Sequence, residues 1–97
     1  MTSETLKNTD TPERIRVLLV DDDEDAYILT RHHLSKIQGQ GLHLDWAATY
    51  ETGIDAIRKN EHDVYLLDYR LGVRTGLELL QEALALGCKE PIIMLTA

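Results

Sequence analysis

The chain has 97 residues, enough for one small domain. Its formal net charge of −7 argues against direct binding to nucleic acid, because the phosphates would be repelled rather than neutralised. No apolar run approaches the roughly 20 residues of a membrane span, so we expect no membrane segment. The single cysteine, Cys88, excludes an internal disulfide and fits a reducing cytoplasm.

The N-terminal third of the chain begins with a polar stretch, residues 1–14, that we expect to be a disordered leader. Ile15–Val20 is a short, nearly continuous apolar run, which is typical of a strand covered on both faces. The acidic run Asp21–Asp25 ends this strand, and its last carboxylates favour a helix N-terminus. Apolar residues at helical spacing then predict a helix over Ala26–Ile37.

The middle of the chain predicts a strand, a helix and a second buried strand. Leu42–Ala47 alternates between apolar and polar residues, as half-exposed strands do. Thr49 is placed to cap the following helix. Val64–Leu67 is the buried strand, and Asp68 stands at its C-terminal end. The inward stripe of the helix is expected to contain Tyr50, Gly53, Ile54 and Ile57.

The last third predicts a loop over Tyr69–Thr75, a helix over Gly76–Leu86 and a strand over Ile92–Leu95. Strands that alternate with helices of this length indicate an α/β domain, a doubly wound parallel sheet with right-handed crossovers. The helix carries leucines on one side, at Leu77, Leu80 and Leu84.

Four polar residues fall where predicted strands end: Asp21 and Asp22 after the first, Asp68 at the third and Thr96 at the fourth. Ligands of parallel α/β sheets bind at this edge, and clustered carboxylates suit Mg²⁺, which prefers oxygen ligands. An aspartate beside Mg²⁺ can accept a phosphoryl group. An acidic run is more often a solvated helix start, and a lone aspartate after a strand is more often a turn residue. The occurrence of all four polar residues at strand ends is what favours a metal and phosphoryl site.

Three segments resemble bacterial response-regulator receiver domains of two-component signalling. VLLVDDDEDAYIL (Val17–Leu29) is similar to their opening, HDVYLLDYRLGVRTGLELL (His62–Leu80) to their phosphorylation segment, and PIIMLTA (Pro91–Ala97) to their fourth strand. The resemblance covers 15–97 and implies a flavodoxin-like sheet with the strand order 2-1-3-4.

The resemblance also implies residue roles. Asp68 would accept a phosphoryl group from a sensor histidine kinase or a phosphotransfer protein, and Thr96 would be the switch hydroxyl. Asp22 would bind Mg²⁺ directly, Asp21 mainly through water, and Arg70 through its backbone carbonyl. The output would be a conformational change, so the domain would not be a turnover enzyme.

The chain departs from the family pattern at its end, because the fourth helix, fifth strand and fifth helix are absent. The lysine that pairs with the phosphoryl group in this family is absent with them, and Lys89 cannot replace it because it precedes the fourth strand. Exposed apolar strand edges pair with other chains. We therefore expect either a fragment of a longer protein or self-association through the fourth strand or the face of the first helix.

Two alternatives stay open. The chain could be an interaction or dimerisation module that keeps the receiver fold without phosphorylation; the truncation favours this and the acidic trio opposes it. The other is a phosphatase of the haloacid-dehalogenase type, whose D-x-D-x-T motif Asp21, Asp23 and Asp25 fit only loosely, since no threonine follows at the right place.

Overall fold

The computed structural model describes residues 14–37 and 41–95. The predicted leader lies outside these residues except for Arg14, which opens the first strand, and Thr96 and Ala97 lie outside them as well. In chain order the elements are β1 (Arg14–Val20), α1 (Glu24–Ser35), β2 (Gly41–Ala47), α2 (Tyr50–Lys59), β3 (Val64–Asp68), β4 (Arg70–Leu71), β5 (Arg74–Thr75), α3 (Gly76–Ala85) and β6 (Ile92–Leu95).

Four of the strands form one parallel sheet in the order β2-β1-β3-β6. Since β6 is the fourth strand of this sheet along the chain, the predicted order 2-1-3-4 is confirmed. In the register, Val20 at the end of β1 lies beside both Ala47 and Leu67, and Asp68 lies beside Leu95. The C-terminal ends of the strands therefore meet at one edge.

The main core lies between the sheet and the pair α2 and α3. Alternate residues of a strand point to opposite faces, and those that face this core include Leu18, Val20, Tyr65 and Leu67. The inward stripe predicted for α2 is confirmed, since all four of its residues are buried. Thr49 caps α2 as predicted, and its side chain accepts a hydrogen bond from the Thr52 backbone N–H.

The opposite face of the sheet carries α1. Trp46 of β2 stacks on Tyr27 of α1, with ring centroids 4.8 Å apart. None of the twelve residues of α1, all of which the structure describes, is fully buried, and α1 ends at Ser35 rather than at Ile37. Ile93 of β6 is on the same face by alternation with Ile92 and is 49% exposed. This face of the sheet is thus less covered than the α2–α3 face.

One local prediction was wrong, and the structure adds which side of α3 is buried. The stretch predicted as a loop after β3 contains an antiparallel hairpin, in which Arg70 pairs with Thr75 and Leu71 with Arg74. The buried side of α3 consists of Gly76, Leu79 and Ala83, whereas Leu77 and Leu84 of the leucine side are exposed. The start of α3 decides which side of the helix is buried, because Thr75 caps the helix in a capping box with Glu78.

Candidate functional site

Asp21, Asp22 and Asp68 meet at the C-terminal edge of the sheet. Asp21 directly follows Val20, the residue of β1 that lies beside Leu67, and Asp68 directly follows Leu67. Ligand oxygens of the three carboxylates all lie within 4.8 Å of one another. Among residues 14–37 and 41–95, this is the group of His, Cys, Asp and Glu side chains that is close enough to share one metal ion.

The environment of Asp21 disfavours its negative charge. Asp21 is only 5% exposed, and this burial raises the pKa of its carboxyl group above the usual value. The hydrogen bond from the Asp23 backbone N–H opposes the rise, while the negative charges of Asp68 and Asp22 add to it. The ion pairs found in the described residues involve other carboxylates. A cation bound among the three aspartates would relieve this repulsion.

The acidic run divides between the site and the start of α1. Asp23 is the N-cap of α1, and its side chain accepts a hydrogen bond of 3.0 Å from the Asp25 backbone N–H. Glu24 and Asp25 occupy the first turn of the helix, where negative charge is favourable. Asp21 and Asp22 precede the cap. The solvated helix start and the candidate metal site are thus both present in one acidic segment.

The β4–β5 hairpin, which was predicted as a loop, contacts the acidic group through a backbone hydrogen bond. The Gly72 backbone N–H donates a hydrogen bond of 3.3 Å to Oδ2 of Asp22. Gly72 has a φ of +71° and Val73 does not share the positive φ, which fits a two-residue type II′ turn with glycine in its first position. This glycine therefore shapes the turn.

Gly76 explains how α3 approaches the site so closely. A Cβ added to Gly76 would lie 2.2 Å from the Asp68 carbonyl oxygen, which is backbone and has no room to move away. The Gly76 backbone N–H also donates a hydrogen bond of 2.7 Å to the Tyr69 carbonyl. Only glycine fits here, so the N-terminus of α3 is held directly against the end of β3.

The roles that the sequence predicts for Arg70 and Thr96 are not tested by the structure. Arg70 opens β4 two residues after Asp68, and the role of its carbonyl as a metal ligand stays a prediction. Thr96 lies outside the described residues, but its chain neighbour Leu95 pairs with Asp68 in the sheet. The register therefore brings the chain to the correct edge just before Thr96.

Arg74 is held against the protein. Its guanidinium carbon lies 3.7 Å from the centroid of the Tyr50 ring, and its Nε lies 3.8 Å from Glu78. Burial raises the pKa of Tyr50 to about 12, and the Tyr50 hydroxyl donates a hydrogen bond of 2.6 Å to Glu82. These contacts tie the hairpin to α2 and α3, so Arg74 is not a freely solvated loop charge.

Two features of β2 had no clear signal in the sequence. The Trp46 indole N–H donates a hydrogen bond of 2.7 Å to the Asp21 backbone carbonyl. Asp45, in the middle of β2, accepts hydrogen bonds from both His43 and His62. A buried indole N–H needs an acceptor, but the sequence does not say which.

Comparison with known proteins gives the family. The family model described as the response regulator receiver domain matches residues 17–97. The chain belongs to this family. The transcriptional regulatory protein RprY of Bacteroides fragilis is 35% identical over 88 residues, or 91% of this chain and 36% of that protein. The two-component response regulator PhoP of Pseudomonas aeruginosa is 31% identical over 84 residues, or 86% of this chain and 36% of that protein.

A solved structure agrees with these matches. The CheY-like receiver domain protein from Methanospirillum hungatei is 31% identical, with a TM-score of 0.75, and the match covers 87% of this chain and 65% of that one. The receiver domain thus spans about a third of the length of the curated relatives it matches. Within the described residues, no helix is long and apolar enough to cross a bilayer.

Proposed function

We propose that this receiver domain accepts a phosphoryl group on Asp68 with the help of Mg²⁺ and signals by a conformational change. The observation that carries the proposal is the convergence of Asp21, Asp22 and Asp68, whose ligand oxygens lie within 4.8 Å of one another. Receiver domains are signalling modules of two-component systems and are generally not turnover enzymes.

The donor set fits magnesium. All three side chains offer carboxylate oxygens, which Mg²⁺ prefers over nitrogen or sulfur. The raised pKa of Asp21 reflects burial and unneutralised neighbouring charge, which a divalent cation would compensate. Asp22 and Asp68 would hold the ion directly, Asp21 mainly through water, and the Arg70 carbonyl would add a ligand. The ion, when bound, would offset negative charge on the incoming phosphoryl oxygens.

The proposed step is a transfer between two covalent carriers. An Asp68 carboxylate oxygen attacks phosphorus, the P–N bond of a donor phosphohistidine breaks, and an acyl phosphate forms on Asp68. The electron pair of the broken bond stays on the leaving imidazole nitrogen, which takes up a proton. Asp68 is the last residue of β3 and is only partly buried, in keeping with access for a donor.

The proposed partner is a sensor histidine kinase or a phosphotransfer protein, the partners with which receiver domains interact. Phosphorylation would add negative charge to a group that is already acidic. The hydrogen bond from Gly72 to Asp22 and the packing of Gly76 on the Asp68 carbonyl connect this charge to the β4–β5 hairpin and to α3. Thr96 would supply the switch hydroxyl.

The test is labelling by a small phosphodonor. We expect acetyl phosphate with Mg²⁺ to add one phosphoryl group, detected by intact mass, and EDTA to prevent the addition. Asp68→Asn should abolish labelling, and Asp22→Asn should reduce it at least tenfold, on the order of the loss of a charged metal ligand. Asp25→Asn is the matched control, because it removes the same charge from the same acidic run outside the site and should label normally.

Two results would contradict the proposal. Label that persists in Asp68→Asn would place the acceptor elsewhere. A wild-type chain that shows neither label nor Mg²⁺-dependent stabilisation would favour the alternative, an interaction module that keeps the fold without phosphorylation.

Self-association is a separate part of the proposal, and an outer strand with an exposed apolar side chain supports it. Within the described residues β6 is an outer strand of the sheet, and Ile93, on the face that carries α1, is 49% exposed. We expect Ile93→Lys to lower the apparent mass measured by light scattering at high concentration. A wild-type chain that stays monomeric throughout would rule out pairing through β6 or through α1.

A further inference from the structure

Trp46 connects β2 to the acidic group through the backbone of Asp21. Its indole N–H donates a hydrogen bond of 2.7 Å to the Asp21 carbonyl, a short distance for an N–H donor. In the opposite direction, the Asp21 N–H donates a hydrogen bond of 3.1 Å to the Ala47 carbonyl. Two consecutive residues at the end of β2 therefore hold both polar groups of the Asp21 backbone.

The side chain of Asp21 is held as well. Its Oδ1 accepts a hydrogen bond of 2.9 Å from the Asp23 N–H, and the residue is almost fully buried. With its backbone and one carboxylate oxygen fixed, Asp21 has little freedom to adjust toward an ion. The position of its peptide therefore decides where the other oxygen lies.

The indole ring is itself fixed from the other side. Tyr27 of α1 stacks on it with an angle of 6° between the ring planes, and the Arg31 guanidinium carbon lies 5.4 Å from the centroid of the Tyr27 ring. A stacked aromatic pair orients its members. Trp46 is half-buried on β2, where Tyr27 of α1 covers its ring. Its indole N–H therefore has one well-defined direction, toward Asp21.

We infer that Trp46 is a positioning residue of the metal site, one that sets the Asp21 carboxylate for cation binding through the Asp21 carbonyl. This inference rests on the proposed binding of Mg²⁺ by the acidic group. It assigns Trp46 a role beyond packing, because loss of the N–H should weaken ion binding even where the ring contact is retained.

Mg²⁺ affinity, measured by calorimetry on the whole chain, tests the inference. Trp46→Phe keeps an aromatic ring against Tyr27 but removes the N–H donor. We expect the dissociation constant for Mg²⁺ to rise about three- to tenfold, as for the loss of one hydrogen bond. Tyr27→Phe is the matched control; it keeps both the stacked ring and the indole N–H, and its affinity should equal that of the wild type.

Fluorescence gives a second measurement that does not depend on a folded Trp46 variant. Trp46 is the only tryptophan of the chain, so the tryptophan emission reports on the surroundings of this one ring. We expect Mg²⁺ to change the emission with the same midpoint as the calorimetric titration, and Asp22→Asn to abolish the change. An emission that stays constant while calorimetry shows bound Mg²⁺ would mean that ion binding does not reach the contact between Trp46 and Asp21.

The outcomes separate the two proposals. If the wild type binds Mg²⁺, and Trp46→Phe binds it equally tightly or the emission does not respond, the inference about Trp46 is wrong and the metal site stands. If the wild type binds no Mg²⁺ by calorimetry, the proposed function itself fails, and the role of Trp46 fails with it.

Discussion

Two groups of polar side chains, one after β1 and one on the neighbouring β2, shift the pKa of an aspartate in opposite directions. Asp21 lies beside two other aspartates, and burial together with their charges raises its pKa. Asp45 lies between two histidines, at 2.9 Å from Nε2 of His43 and 2.7 Å from Nε2 of His62. Burial acts to raise the pKa of Asp45, but the hydrogen bonds from His62 and His43 hold it below its usual value.

The difference separates carboxylates that have no ion-pair partner among the described residues from a carboxylate that has two histidines beside it. Because an ionised carboxylate only accepts hydrogen bonds, both histidine Nε2 atoms donate to Asp45, one to each carboxylate oxygen. In the group formed by Asp21, Asp22 and Asp68, three neighbouring carboxylates lie within 4.8 Å of one another with no ion pair to them among the described residues. The first arrangement should therefore stabilise the fold, and the second should cost stability until a cation binds.

The largest expected effect is the loss of stability in Asp45→Asn. The His62 side chain is only 6% exposed, and its Nδ1 is buried without a partner within the described part of the chain. Replacing the carboxylate weakens the remaining hydrogen bond of a buried ring, at a cost of about 1–3 kcal/mol in the free energy of unfolding. Urea unfolding at pH 7 measures the loss.

His43→Ala is the companion variant for this measurement. His43 shares the same carboxylate but is half-exposed, so its removal should cost less than about 1 kcal/mol. Equal losses in Asp45→Asn and His43→Ala would show that the burial of His62 does not matter.

A smaller effect of opposite sign is expected for Asp68→Asn in the absence of Mg²⁺. Removing one of three neighbouring negative charges should raise the free energy of unfolding by about 1 kcal/mol. Added Mg²⁺ should then stabilise the wild type but not this variant, as thermal melting with and without EDTA would show. A destabilised metal-free Asp68→Asn would mean that the three carboxylates do not repel one another appreciably.

The pH dependence of stability should distinguish the two groups in the metal-free protein. The pKa of Asp45 is lowered in the folded state, so its contribution is present above the ordinary aspartate value of about 3.9 and is lost as the pH falls through the folded value. The pKa of Asp21 is raised, so the folded state is favoured at low pH and loses stability as the pH rises through the folded value.

Urea unfolding from pH 3 to pH 7 should separate these contributions. Asp45→Asn should flatten the acid side of the stability curve, and Asp21→Asn should flatten the side above the ordinary aspartate value. Identical curves for the two variants would contradict the opposite pKa shifts.

Much of the architecture followed from local patterns. The β-branched apolar run before Asp21 predicted β1, and the stripe from Tyr50 to Ile57 predicted the buried face of α2, since each pattern records which residues must leave water. The parallel sheet followed from the alternation of elements, and its strand order from the family resemblance. The convergence of Asp21, Asp22 and Asp68 then followed from the positions of the residues at strand ends.

What the sequence by itself determined was therefore the order of the elements and the edge at which the acidic residues lie, because hydrophobic periodicity is a local property of the chain. Only the tertiary structure decided the contacts between distant residues: Trp46 with the Asp21 carbonyl, Gly72 with Asp22, and His62 with Asp45. Each joins separate elements and depends on strand register and side-chain direction. These are fixed by the packing of the whole domain.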